Sequence, residues 1–299
     1  MTAAAPIARA LEATLGGRWS VHALGASGFC STWRAEADGA ALFVKSLPPA
    51  QADVLEAEAD GLAALAATGT VRVPRVVHSG RVAGAAVLAL EWLDLREPDA
   101  GFGTRFGGAL GALHRAAPRQ GNGRFGWHRD NLLGATPQSN GWSGRDGLEG
   151  WIEFFGCERL GAMRDRLAAR GISTALTQAV DAVIERLPAF FADGHVPRAC
   201  LIHGDLWSGN WGMLAAGTPV IYDPAVSYSD AEAELAMMEL FGELPRGFRQ
   251  AYGEQLPVHP GYARRRGLYQ LYHLLNHALL FGGGYVQQSL QLARTLATA

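Results

Sequence analysis

Two aspartates and an asparagine in the second half of the chain have the types and spacing to handle a phosphoryl group. The stretch His203-Gly204-Asp205-Leu206-Trp207-Ser208-Gly209-Asn210 follows an apolar approach, Ala199 to Ile202, that reads as a strand end. A second apolar run, Val220-Ile221-Tyr222, delivers Asp223 and then Pro224. Asp205, Asn210 five residues on, and Asp223 on a neighbouring strand can bring three oxygen donors into one small space. Phosphoryl transfer from a metal-bound nucleotide asks for such a set. One carboxylate orients the attacking hydroxyl, while an amide oxygen and another carboxylate hold magnesium on the phosphates. The plainer reading makes Asp205 and Asn210 turn formers and Asp223 a helix cap. His-Gly before Asp205 and the strand-borne Asp223 after it favour the chemical reading.

A nucleotide also needs a cation for its phosphates. Ala41-Leu42-Phe43-Val44-Lys45-Ser46 ends an apolar strand in a lysine, where an exposed amine is not expected. The third strand of a protein-kinase N-lobe presents a lysine in this way. The helix expected over residues 52–67 spaces Leu55, Glu58, Leu62 and Leu65 near one face. Glu58, with Glu56 as the alternative, can brace the ammonium; the competing reading is a surface carboxylate. Gly25-Ala26-Ser27-Gly28 joins two strand-like runs and either brings backbone N–H groups to a phosphate or makes a plain hairpin. If residues 92–95 are a hinge into a helical lobe, the backbone near Glu91 and Leu93 would meet the adenine edge. The expected division is therefore 1–93 as an ATP-binding lobe and 94–299 as a catalytic and substrate-binding lobe.

The remaining elements follow from periodicity. Helices are expected over 6–15, from Phe102 to Ala116, around Trp151, over 174–192, from Glu232 to Phe241 as an amphipathic helix, and from Ala263 to Phe281, where the fold ends. Residues 125–142 interleave Trp127 and Trp142 with Asp130, Asn131 and Gln138 in a turn-rich segment. Ring faces and amides suit a hydroxylated ligand; a loop packing its own tryptophans is the alternative. Arg264-Arg265-Arg266 reads as a solvated helix face, and His273 and His277 as satisfied helix residues rather than metal ligands. His114 reads as a packed helix-end residue.

Composition bounds the class. In 299 residues, 48% are apolar and 18% charged, as in a well-buried globular enzyme. A net charge of −2 supplies no global field for nucleic acid or anionic lipid. Three cysteines, Cys30, Cys157 and Cys200, with no paired spacing argue for a reducing, cytoplasmic setting. No apolar run is long enough to span a bilayer.

These motifs resemble the fructosamine kinase (ketosamine kinase) family, relatives of aminoglycoside and choline phosphotransferases. The resemblance covers nearly the whole chain. It rests on His203 to Asn210, Tyr222-Asp223-Pro224-Ala225, Glu234 to Gly242, Phe125-Gly126-Trp127 through Trp142 with its Thr136-Pro137-Gln138, and Leu268 to His277. It implies an α+β, bilobal protein-kinase-like fold, with a small antiparallel-sheet N-lobe carrying one main helix and a larger, mostly helical C-lobe. It implies ATP with Mg2+, and transfer of the γ-phosphoryl group to a sugar hydroxyl, typically O3, of a ketosamine, promoting deglycation. Its roles fall on Asp205 as base, Asn210 and Asp223 as metal ligands, Lys45 with Glu58 at the α/β-phosphates, and Gly25, Ser27 and Gly28 over the nucleotide. Trp207 either walls the sugar or packs the loop, and Asp130, Asn131 and Gln138 are candidate substrate contacts. The family's loop cysteine is displaced here: Phe29 takes its place and Cys30 follows, so its redox switch is not carried over. No nucleic-acid or membrane partner is implied, and the expected state is a monomer or weak dimer. The alternatives are an aminoglycoside, choline or homoserine phosphotransferase, which would want a more acidic cleft, and an inactive nucleotide-binding scaffold. A scaffold has no need of Lys45, Asp205, Asn210 and Asp223 together.

Overall fold

The computed structural model describes residues 4–27, 30–82 and 84–298. They form two compact units, one of residues up to 102 together with 210–224, the other of 103–209 together with the chain from 225 onward. The division is thus not a single cut after residue 93. Residues 210–224 return to the first unit because Arg72 bridges to Val220 and Arg96 to Met213.

The first unit is built on a five-stranded antiparallel sheet: β1 (Ser20–Ser27), β2 (Cys30–Ala37), β3 (Ala40–Leu47), β4 (Val76–Val82) and β5 (Ala85–Glu91), in the order β1-β2-β3-β5-β4. Alternation along a strand sends successive side chains to opposite faces. Trp33 and Ala35, Leu42 and Val44, and Val87 and Ala89 face one way, onto Ile7, Ala10 and Leu11 of helix α1 (Ala4–Leu15). Lys45, next to Val44, must face the other way. There α2 (Ala52–Ala67) packs on β3, β4 and β5 and buries Leu55, Glu58, Leu62 and Leu65 from one face. A short hairpin, Trp211–Met213 paired with Pro219–Ile221, completes the unit.

The second unit is mostly helical: α3 (Phe102–Arg115), α4 (Gly147–Phe154), α5 (Ala162–Ala169), α6 (Thr174–Glu185), α7 (Ala231–Met238), α8 (Phe248–Gln255), α9 (Tyr262–Phe281) and α10 (Gly284–Thr298). α9 lies against α5, α7 and α10. Three expectations need correction. The fold does not end at Phe281, because after Gly282 and Gly283, both at positive φ, α10 turns back onto α9 and α6. α7 is not amphipathic: Glu232 and Glu234 are buried along with Leu235 to Met238. Arg264 and Arg266 are solvated, but Arg265 is fully buried, since it shares the inward face of α9 with Leu268 and Tyr269. Among the described residues no helix is long and apolar enough to cross a membrane.

Candidate active site

In the first unit, β3 and α2 put Lys45 and Glu58 together, and the hairpin brings Asp223 to them. Lys45 Nζ donates to Glu58 Oε1 at 2.7 Å, to Glu58 Oε2 at 2.8 Å and to Asp223 Oδ1 at 2.8 Å. An ammonium has three N–H donors, so the whole complement is engaged. Burial alone would lower the lysine pKa, but Glu58 and Asp223 outweigh it and hold the group above its ordinary value, as the protonated cation. Glu58, rather than Glu56, is the acid on the lysine, because it shares the inward face of α2 with Leu55 and Leu62.

Asp223 stays partly open, its side chain 38% exposed where that of Lys45 is 6%. It adopts φ +60°, a left-handed conformation that costs most residues but that aspartate tolerates. The same hairpin locates Asn210. Ile221 pairs with Trp211, and one step along the N–H of Tyr222 donates to the Asn210 carbonyl at 3.0 Å. Asn210 and Asp223 therefore leave the hairpin at the same end.

A cavity of about 460 Å³ in this unit is walled by Leu24, Phe43, Pro74, Leu90 to Leu95, Tyr222 and Asp223. Leu24 and Leu95 remain 49% and 44% exposed, which apolar side chains avoid unless something covers them. The Glu91 carboxylate is committed to the Arg72 guanidinium and to the Arg75 N–H at 2.7 Å. Gly25 sits at a β-bulge with φ +141°, and an added Cβ there would meet no atom, so backbone conformation alone demands glycine. Ser27 ends β1, and Gly28 and Phe29 lie outside the described residues. Cys30 is buried and its thiol is pushed up to about 11, chiefly by burial, with the carboxylates of Glu58 and Asp223 adding to the effect against Lys45.

In the second unit the loop at His203 is gripped through its main chain. Glu234 on α7 accepts the N–H of His203 at 2.5 Å and of Gly204 at 2.9 Å. Its carboxylate is fully buried and His114 Nε2 stands 3.6 Å away, an electrostatic contact too long for a hydrogen bond. Burial would raise the Glu234 pKa; the neighbouring His114 and His203, with the backbone N–H, prevail and hold it below the ordinary value. Gly204 has φ +86°, and a Cβ there would stand 2.1 Å from the Ala225 carbonyl oxygen, so no other residue fits. The next residue, Asp205, is half-buried, its N–H on His203 Nδ1 at 3.3 Å. Glu234 was visible in the sequence only as part of a motif, with no role attached. A glutamate surrounded by apolar residues on an eight-residue helix was the available signal.

Trp207 is 42% exposed, and its ring lies so close over Gly209 that a Cβ there would approach it to 2.3 Å. It packs the loop and leaves one part of the indole open. Segment 125–142 uses its polar groups on the protein itself. Asn131 Nδ2 donates to the Val226 carbonyl at 2.9 Å. Gln138 Nε2 donates to Asn131 Oδ1 and the Ala225 carbonyl, and its Oε1 accepts from Tyr272. Asp130 Oδ1 accepts the Asn140 N–H at 2.9 Å. Trp127 is buried against Tyr228, and Trp142 stacks on the same ring. The amides that looked available for a ligand hold the backbone just beyond Pro224. Tyr272 links this network to the base candidate: burial raises its pKa to about 12, with Arg159 opposing and the Asp205 charge adding to the rise. His277 Nδ1 meets the His273 carbonyl at 2.9 Å, a helical i to i+4 contact.

A lysine–glutamate pair between sheet and helix, an Asp-x4-Asn loop and a strand-borne aspartate define a phosphotransferase of the protein-kinase-like fold. More narrowly, the model of the fructosamine kinase family matches residues 7–298, and the chain belongs to that family of ATP-dependent phosphotransferases. A Synechocystis protein provisionally named a ketoamine kinase is 45% identical over 252 residues, 84% of this chain and 81% of that protein. A chloroplastic protein-ribulosamine 3-kinase of Oryza sativa subsp. japonica is 35% identical over 256 residues, 85% of this chain and 72% of that protein. The crystal structure of a Thermobifida fusca protein, provisionally assigned as a fructosamine-3-kinase, superposes with a TM-score of 0.84 at 34% identity, covering 98% of this chain and 99% of that one.

Proposed function

We propose that the protein transfers the γ-phosphoryl group of ATP to a sugar hydroxyl, O3, of ketosamines formed by glycation of amines, and so promotes deglycation in a reducing, cytoplasmic compartment. The observation that carries the chemistry is the Lys45–Glu58–Asp223 cluster, and family membership supplies the acceptor class. The adenine would enter the apolar cavity beside Leu24 and Leu95. Lys45, its other two protons fixed on Glu58, would turn its third from Asp223 to the α/β-phosphates.

Asn210 and Asp223 fit a magnesium ion. A carboxylate and an amide from neighbouring ends of one hairpin suit a hard octahedral cation that keeps several waters, and Asp223 is partly open. When bound, the ion neutralises charge on the phosphates. Asp205 would take the proton of the attacking hydroxyl as the sugar O–P bond forms, the bond to the β-phosphate oxygen breaks and ADP leaves.

The test is ADP release by the purified protein with synthetic ribulosamines and fructosamines, and with an aminoglycoside and choline as controls. Turnover on a ketosamine, with phosphate found on O3 by NMR, supports the reading. Turnover on the controls alone would overturn it.

A further inference from the structure

At the N-terminus of α7 stands a second cluster that the phosphotransfer chemistry does not use. His195 Nε2 lies 2.8 Å from Asp230 Oδ2 and 3.8 Å from Glu232 Oε2, and one donor atom from each of the three falls within 4.8 Å of the others. A tetrahedral zinc-class ion holds its donors roughly 3.3 Å apart, so seating one would take side-chain adjustments that together close the widest pair by up to about 1.5 Å. Both carboxylates already carry hydrogen-bond partners on these oxygens. Tyr269 OH donates to Asp230 Oδ2 at 2.7 Å, and Arg265 Nε donates to Glu232 Oε2 at 2.7 Å. Ligating carboxylates characteristically carry such outer partners.

Asp193, Asp230 and Glu232 gather around the guanidinium of Arg265, which bonds both Asp193 and Glu232, and Arg198 borders the adjoining cavity. Access is built in: His195, Asp230 and Glu232 border a cavity of about 440 Å³ whose rim includes Val196, 65% exposed.

We infer that His195, Asp230 and Glu232 form a binding site for a divalent transition ion of the zinc class, distinct from the residues assigned to ATP. An imidazole among the ligands selects zinc over magnesium or calcium, which prefer all-oxygen shells. Because Asp230 caps α7 and Glu234 lies on the same helix, the ion would pin the helix that grips the His203 loop.

The experiment titrates metal-stripped full-length protein with Zn2+ against a chromogenic chelator, in excess Mg2+ to occupy Asn210 and Asp223. A single tight equivalent is expected, weakened at least about tenfold in His195→Ala. Co2+ should give visible d–d absorption in the parent protein and not in that variant. Zn2+ should raise the melting temperature of the parent alone. The His195 side chain is only 14% exposed; His195→Gln, checked by circular dichroism, repeats the test if the alanine variant misfolds. Equal Zn2+ affinity in parent and variant, or no tight equivalent in the parent, overturns the site.

Discussion

Lys45 and Glu234 are both buried ions, one in each unit, and they are held in opposite ways. Lys45 is held by side chains, and one of its partners, Asp223, is partly open. Glu234 is held by backbone N–H groups in a turn that admits only glycine at position 204. A side-chain partner can be exchanged for a ligand oxygen at little conformational cost. A main-chain partner cannot be given up without remaking the turn. The Lys45 cluster is therefore built for exchange and the His203 loop for immobility.

The sharpest break falls on the rigid side. Asp205→Ala should lower kcat by about 10²–10⁴-fold while calorimetry finds ADP affinity little changed; equal loss of both would deny Asp205 a role confined to the hydroxyl. On the exchangeable side, Lys45→Met should cost about 10–100-fold in kcat/KM for ATP, as expected for charge-assisted bonds to phosphate. It should also take about 3 kcal/mol from unfolding stability by leaving Glu58 without its cation. A stability change with no kinetic one would make the pair purely structural.

Glu234→Gln should be milder, losing about 1–3 kcal/mol of stability and lowering kcat more than KM for ATP. Its pH signature has a definite sign. The folded pKa of Glu234 is depressed below 4.5, so its stabilisation is complete above that value and is lost as pH falls through the lower folded one. The glutamine variant should show a flatter acid limb in a melting-temperature profile, and an unchanged limb would exclude Glu234 as its source. The smallest effect concerns thiols. Exposed Cys157 should react with iodoacetamide well before buried Cys30, whose pKa of about 11 leaves almost no thiolate, and modification of Cys157 should leave turnover intact. Rapid labelling of Cys30 would mean that β2 opens.

What could be read in the sequence follows the same contrast. Lys45 and Glu58 were legible because local periodicity fixes which face each occupies: Lys45 alternates with Val44, and Glu58 recurs with Leu55 and Leu62. Glu232, Glu234 and Arg265 were not, because a charged residue is presumed solvated until its partner is known, and these partners lie about thirty residues away or further in the chain. Asn131 and Gln138 misled for a related reason. Amides in a turn-rich loop look free, and only the fold brings the carbonyls of Ala225 and Val226 against them. α10 went unseen because Gly282-Gly283 reads as a terminus rather than a reversal.

The engagement of all three lysine protons has a thermodynamic corollary. An anion arriving alone must take Asp223's share of Lys45 and leave that carboxylate without a counter-charge, whereas an anion escorted by a cation replaces what it removes. Nucleotide and divalent ion should therefore bind synergistically, each raising the other's affinity by the same factor. Free phosphate or metal-free nucleotide would be a poor inhibitor of the empty enzyme.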